Sequence, residues 1–181
     1  MKKFFSFCWE ITKIIVVAGL IVFPIRYFLF QPFVVRGQSM EPNFKEGDYL
    51  IVDEISYRFR KPLRGEVIVF KYPNNPSQRF IKRVIGLPGE VVEIKNGRGL
   101  ISQNGKSWFL NEKNYLPSIE QTIGNIKITL QKDEYFVLGD NRDFSFDSRR
   151  FGVVPAEDII GRVLIKAWPF SDFALIKAPV Y

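Results

Sequence analysis

The stretch RFIKRVIGLPGE, Arg79 to Glu90, alternates its side chains over the first half and then turns at Gly86, Pro88 and Gly89. A period of two marks a strand, because successive side chains point to opposite faces. On that reading Phe80, Lys82 and Val84 share one face, and Arg83 is turned the other way. A lysine among apolar neighbours has two uses. It is either a water-exposed gatekeeper on an edge strand or an amine whose charged form burial disfavours.

The same strand pattern recurs on both sides. YLIVDEI, EVIVFKY, EVVEIKN, NIKITL, EYFVLG and GRVLIKAW are short, rich in Val, Ile, Tyr and Phe, and separated by turn residues. Asn96-Gly97 and Asn104-Gly105 predict tight hairpins. Beyond the N-terminal segment no sustained helical period runs through the chain. The fold class is therefore mostly β, a barrel-like or sandwich-like domain over residues 31–181. Between about 97 and 132 the sequence becomes more polar and less regular, which predicts a small cap inserted into that domain.

Residues 1–30 read differently. Ile14 to Ile25 is uninterrupted apolar, and extending it from Phe4 to about Phe30 reaches the roughly 20 residues a membrane span needs. Lys13 and Arg26 then lie near the two interfaces, where long side chains reach water. The segment PIRYFLFQPF has no small-x-small cleavage site, so the expectation is a retained transmembrane helix rather than a removed leader. Lys2, Lys3 and Lys13 place the N-terminus in the cytoplasm and the β domain on the extracytoplasmic side of the cell membrane.

Composition removes several chemistries. The chain has no histidine, which excludes a Ser-His-Asp triad, His-ligated zinc and an imidazole base. One cysteine, Cys8, allows neither an internal disulfide nor a cysteine metal cluster. The net charge of +7 is dispersed, with no basic run and no nucleic-acid-reading motif, so nucleic acid is not expected as a partner.

A serine nucleophile would then need an unusual base. Ser39 lies in VVRGQSMEPNF, where Gly37 permits close backbone approach and Pro42 helps to fix the turn. A lysine serves as the base only when neutral. Lys82 has the apolar strand face that this requires; Lys71, at the end of VIVFKYP, is the rival. A third cluster, LGDNRDFSFDSRRFG, interleaves Asp140, Asp143 and Asp147 with Arg142, Arg149 and Arg150. Such a loop suits a self-bracing network able to hold Ser145 beside a neutral lysine. It does not resemble a calcium loop.

In order along the chain, the anchor, GQSMEP, RGEVIVF, FIKRVIGLPGE and GDNRDFSFDSR resemble type I signal peptidases, membrane-bound Ser/Lys proteases that remove signal peptides from exported pre-proteins. The resemblance implies that Ser39 is the acylating nucleophile, Lys82 its general base, and Ser145 the residue that orients the lysine amine. It implies that Asp140, Arg142, Asp147 and Arg149 brace the last loop. The Ser39 backbone N–H becomes one oxyanion donor. Some members carry a serine two positions before the nucleophile; here that position is Gly37, which has only its backbone to offer. Phe144 also departs from the many members that carry Asn there. Shallow pockets for small side chains at the first and third positions before the cut would involve Phe33, Val35, Met40, Phe44, Leu50, Phe80 and Ile81. The expected partners are signal peptides and membrane lipid, with no metal and no cofactor. Two alternatives stand beside this reading: a conjugation-type processing protease of the same fold, and an inactive membrane-tethered module that binds extended peptides.

Overall fold

The computed structural model describes residues 2–28, 30–116 and 121–179, and the side chains of the first helix at 4, 7 and 9–20. That helix, α1, spans Lys2–Phe28. The strands that follow are β1 (Phe30–Val34), β2 (Tyr49–Asp53), β3 (Val67–Tyr72), β4 (Asn75–Gly86), β5 (Val91–Lys95) and β6 (Arg98–Gln103). After them come β7 (Lys106–Phe109), β8 (Ile126–Thr129), β9 (Glu134–Leu138), β10 (Val154–Pro155), β11 (Ile159–Trp168) and β12 (Ala174–Leu175). Two single-turn helices, α2 (Ser56–Phe59) and α3 (Ser148–Phe151), lie between strands.

The mostly β expectation holds, as two antiparallel sheets. The larger runs β1-β2-β11-β3-β4-β9-β10, with β12 on β11, and the smaller runs β7-β6-β5-β8. Alternation along β3 explains why both faces of the larger sheet are apolar. Val67 and Val69 join Val35, Met40, Phe44, Leu50, Val52, Ile81 and Val163 in one cluster. Ile68 and Phe70 point the other way, into a cluster with Val84, Tyr135, Val137 and Val154. A third cluster ties the two sheets together, with Ile85, Phe136 and Leu138 packing on Val92, Ile94, Ile101 and Leu130.

The smaller sheet opens at Val91, so the stretch expected as a cap, about 97–132, holds its last three strands and not its first. VVEIK alternates like any strand of the main sheet, so the composition shift appears only after the smaller sheet's first strand. Both predicted hairpins form: Asn96 and Gly97 have φ of 52° and 75°, Asn104 and Gly105 of 50° and 76°. Two successive left-handed residues match the twist of the flanking strands, which is why Asn-Gly occupies both turns.

The expected transmembrane helix is not found as such. Among the described residues no helix is long and apolar enough to cross a membrane. Within α1, side chains are described without a gap only from Trp9 to Leu20, a stretch that includes Glu10 and Lys13. The second half of the expected span, with Arg26, lies outside the described side chains. The described apolar side chains of α1, among them Trp9, Ile14, Ile15 and Leu20, are exposed.

Candidate active site

Ser39 sits in the turn that follows β1. Val35 N–H donates to Asp48 O (3.0 Å) and Gly47 N–H to Val35 O (3.0 Å), which ties the incoming chain to β2. Met40 and Phe44 are buried on the core side and joined by Phe44 N–H to Met40 O (2.9 Å). Their burial leaves the half-exposed Ser39 facing outward. Gly37 has a φ of 77°, a conformation that favours glycine.

Lys82 comes from β4, paired with Ile68 of β3, and its side chain is on the face the alternation predicted. Its Nζ lies 2.7 Å from Ser39 Oγ and 2.9 Å from Ile81 O. The residue is 4% exposed, with the amine 5.6 Å from the centroid of the Phe80 ring. Burial lowers its pKa from 10.5 to about 8, against the opposing pull of Asp147 and then Asp140. The rival, Lys71, is exposed at the end of β3. In the neutral state Ser39 O–H donates to the amine lone pair while one N–H donates to Ile81 O. That is the geometry of a poised general base.

The loop after β9 closes the site from the other side. Arg83, beside Lys82 but on the opposite face, donates through Nε and Nη2 to Asp140 at 2.7 and 2.6 Å, and through Nη1 to Gly65 O at 2.8 Å. Asn43 donates to the same Asp140 carboxylate at 2.8 Å, joining the serine turn to this pair. Asp147 accepts from Gly139 N–H (3.1 Å) and from the Arg149 side chain (2.8 Å at both Nε and Nη2), and it caps α3 through Arg149 N–H. Burial alone would raise the Asp147 carboxyl; the bonds and charge of Arg149, with the Ser145 hydroxyl and Gly139 N–H, outweigh it and hold the pKa below its ordinary value. Arg142 is buried and reaches across to the cap, donating to Glu112 at 3.0 and 2.6 Å, to Gly139 O at 2.9 Å and to Thr122.

Ser145 is brought to this place but not to the lysine amine. It is buried, its Oγ makes no hydrogen bond of good geometry among the described residues, and its hydroxyl lies close enough to Asp147 to help hold that carboxyl low. The expected hydrogen bond to Lys82 is therefore not formed; the amine is taken up by Ser39 Oγ and Ile81 O. Gly139 explains the tight fit, because a Cβ there would collide with Ser145 and with Ser39 O.

Ser39 and Lys82 open onto a cleft of about 780 Å³ lined by β1, by the outer part of β4 and by Phe144 and Phe146. Of the residues expected in the pockets, Phe33, Phe80 and Ile81 line it. Val35, Met40, Phe44 and Leu50 do not; they are buried in the core beneath, because each points inward from its turn or strand. Sequence reasoning did not single out Asn43, Arg83, Glu112 or Thr122 for the bracing network. Arg83 carried a signal, since a charge on the inner face of an otherwise apolar strand needs a partner. The others carried none.

The profile of the family described as "Signal peptidase, peptidase S26" matches residues 8–168. A probable signal peptidase I-2 of Synechocystis sp. is 38% identical over 175 residues, covering 92% of this chain and 76% of that protein. A signal peptidase I of Leptolyngbya laminosa is 40% identical, covering 94% of this chain and 84% of that one. Signal peptidase IB of Staphylococcus aureus is 35% identical and covers 91% of each.

Proposed function

The chain belongs to the signal peptidase family (peptidase S26), and from that premise we propose that it is a membrane-associated signal peptidase I working through a Ser39–Lys82 dyad. The observation that carries the reading is the 2.7 Å contact between Ser39 Oγ and a buried amine whose pKa is lowered to about 8. In a chain with no histidine, this is the proton acceptor that a serine nucleophile requires.

The proposed steps run as follows. Lys82 takes the Ser39 hydroxyl proton as Oγ bonds to the carbonyl carbon of the scissile peptide. The Ser39 backbone N–H faces the resulting oxyanion, with Gly37 backbone alongside. Collapse breaks the C–N bond, and the Lys82 ammonium returns its proton to the departing amine. Lys82 then deprotonates a water that attacks the acyl ester, and Ser39 is regenerated. Ser145, buried against Gly139 beside Ser39 O, is the side chain proposed to orient the Lys82 amine.

Extended pairing supplies the binding mode. Among the described residues β1 is the terminal strand of the larger sheet, and β9 pairs with β4 only from Arg83 onward. The edges at Phe33–Val34 and at 77–81 therefore both face the cleft, and they offer main-chain groups to a substrate strand whatever its side chains. With Phe33 and Ile81 as walls the pockets are shallow, which suits small residues at the first and third positions before the cut. The apolar side chains of α1 hold the enzyme in the cell membrane with its N-terminus cytoplasmic; alkaline extraction and protease protection of the catalytic domain test that placement. Cleavage of a purified pre-protein after an Ala-x-Ala site by the wild type, and not by Ser39→Ala, tests the activity.

A further inference from the structure

An oxyanion donor works only if it is aimed, and the aim of the Ser39 N–H is set by its own peptide group. A peptide unit is planar and almost always trans, so Gln38 C=O and Ser39 N–H point in opposite directions within one plane. Whatever holds Gln38 O thereby orients the Ser39 N–H. Two donors hold it, Glu41 N–H at 3.2 Å from within the same turn and Asn141 Nδ2 at 3.1 Å from the loop after β9. Among the described residues the Ser39 N–H has no acceptor of its own.

Asn141 grips the other side of the nucleophile as well. Its backbone N–H donates to Ser39 O at 3.1 Å, so one residue holds the carbonyls on both sides of Ser39 Cα. Its Oδ1 accepts from Phe144 N–H at 3.2 Å, which fixes the orientation of the side-chain amide: oxygen toward a donor, nitrogen toward the Gln38 carbonyl. The preceding residue, Asp140, is bound to Arg83, the neighbour of Lys82. A single dipeptide of the loop thus references the serine turn to the strand that carries the base.

We propose that Asn141 is a positioning residue that holds the Gln38–Ser39 peptide plane so that the Ser39 N–H faces the developing oxyanion. The inference rests on the Ser39–Lys82 reading and deepens it. Asn141 touches no reacting atom; it acts through a peptide group.

Asn141→Asp separates this role from loop folding. It keeps the acceptor for Phe144 N–H and the backbone N–H to Ser39 O, and replaces only the donor to Gln38 O with an acceptor. Full-length wild type and variant in detergent are compared on a pre-protein and on two probes of one sequence, a peptide aldehyde ending in Ala and the corresponding peptide amide. Losing an oxyanion donor outright lowers kcat by about 10²–10³, so mis-aiming one is expected to lower it about 10- to 100-fold with KM within about twofold. The aldehyde, which forms a tetrahedral adduct with an oxyanion, weakens by the same factor, while the amide binds unchanged. Should Asn141→Asp not fold, Asn141→Ser, which removes the amide without adding charge, carries the same comparison. An unchanged kcat, a loss confined to KM, or equal weakening of aldehyde and amide overturns the proposal. A wild type that does not cut, or a Ser39→Ala enzyme that does, overturns the dyad reading instead.

Discussion

Replacing Lys82 with methionine should end activity and at the same time stabilise the folded protein at neutral pH. The amine is 4% exposed, and moving its pKa from 10.5 in an unfolded chain to about 8 in the fold corresponds to about 3 kcal/mol. The sign follows from proton counting. Between about pH 8 and 10.5 the unfolded chain holds the proton and the folded one does not, so wild-type stability rises across that window. Below about pH 8 both states hold it and the full penalty is present. Methionine fills similar space without charge, but gives up hydrogen bonds to Ser39 Oγ and Ile81 O, each worth about 1 kcal/mol. The net expectation is a gain of about 1–2 kcal/mol at pH 7 that has vanished or reversed by pH 10.5. Urea unfolding of both proteins at the two pH values measures it. A variant less stable than wild type at pH 7, or a difference that does not depend on pH, would refute the argument that burial keeps this amine near neutrality.

The remaining predictions address rate, bracing and the cleft. Activity should rise about tenfold per pH unit up to about pH 8 and level off above it, because only neutral Lys82 accepts the serine proton; kcat/KM measured from pH 6 to 10 would show this, and a flat profile would count against Lys82 as base. Asp140→Ala leaves the buried Arg83 guanidinium without its carboxylate and should cost about 3–5 kcal/mol, seen as a lowered urea midpoint. Phe144 is 75% exposed at the cleft wall, so Phe144→Ser should leave stability within about 0.5 kcal/mol and raise KM for signal peptides several-fold, read from thermal melts and initial rates.

Alternation carried much of this structure because it records burial directly. It placed Lys82 among apolar neighbours and sent Arg83 to the opposite face, and the Asn-Gly pairs located both cap hairpins. It could not assign Val91–Lys95 to the smaller sheet, since that strand pairs with β6 and β8 yet reads like any strand of the larger one. The pocket residues divide between cleft wall and core for a related reason. Met40, Phe44 and Leu50 have the apolar character that both a pocket wall and a core floor require, and only the packing of the serine turn on β2 decides between them. Glu112 and Arg142 are paired across 30 residues of chain, a contact that no local pattern encodes. Asn141 was legible only as a polar loop residue; its grip on both carbonyls flanking Ser39 depends on how two distant turns meet.

The most direct test is cleavage of a purified pre-protein whose signal ends in Ala-x-Ala, by wild type, Ser39→Ala and Lys82→Met in detergent, with the product N-terminus sequenced. The dyad account predicts that only the wild type cuts, and that it cuts immediately after the second Ala. Cleavage by Lys82→Met at the wild-type rate, or three inert proteins that still bind the peptide, would contradict it.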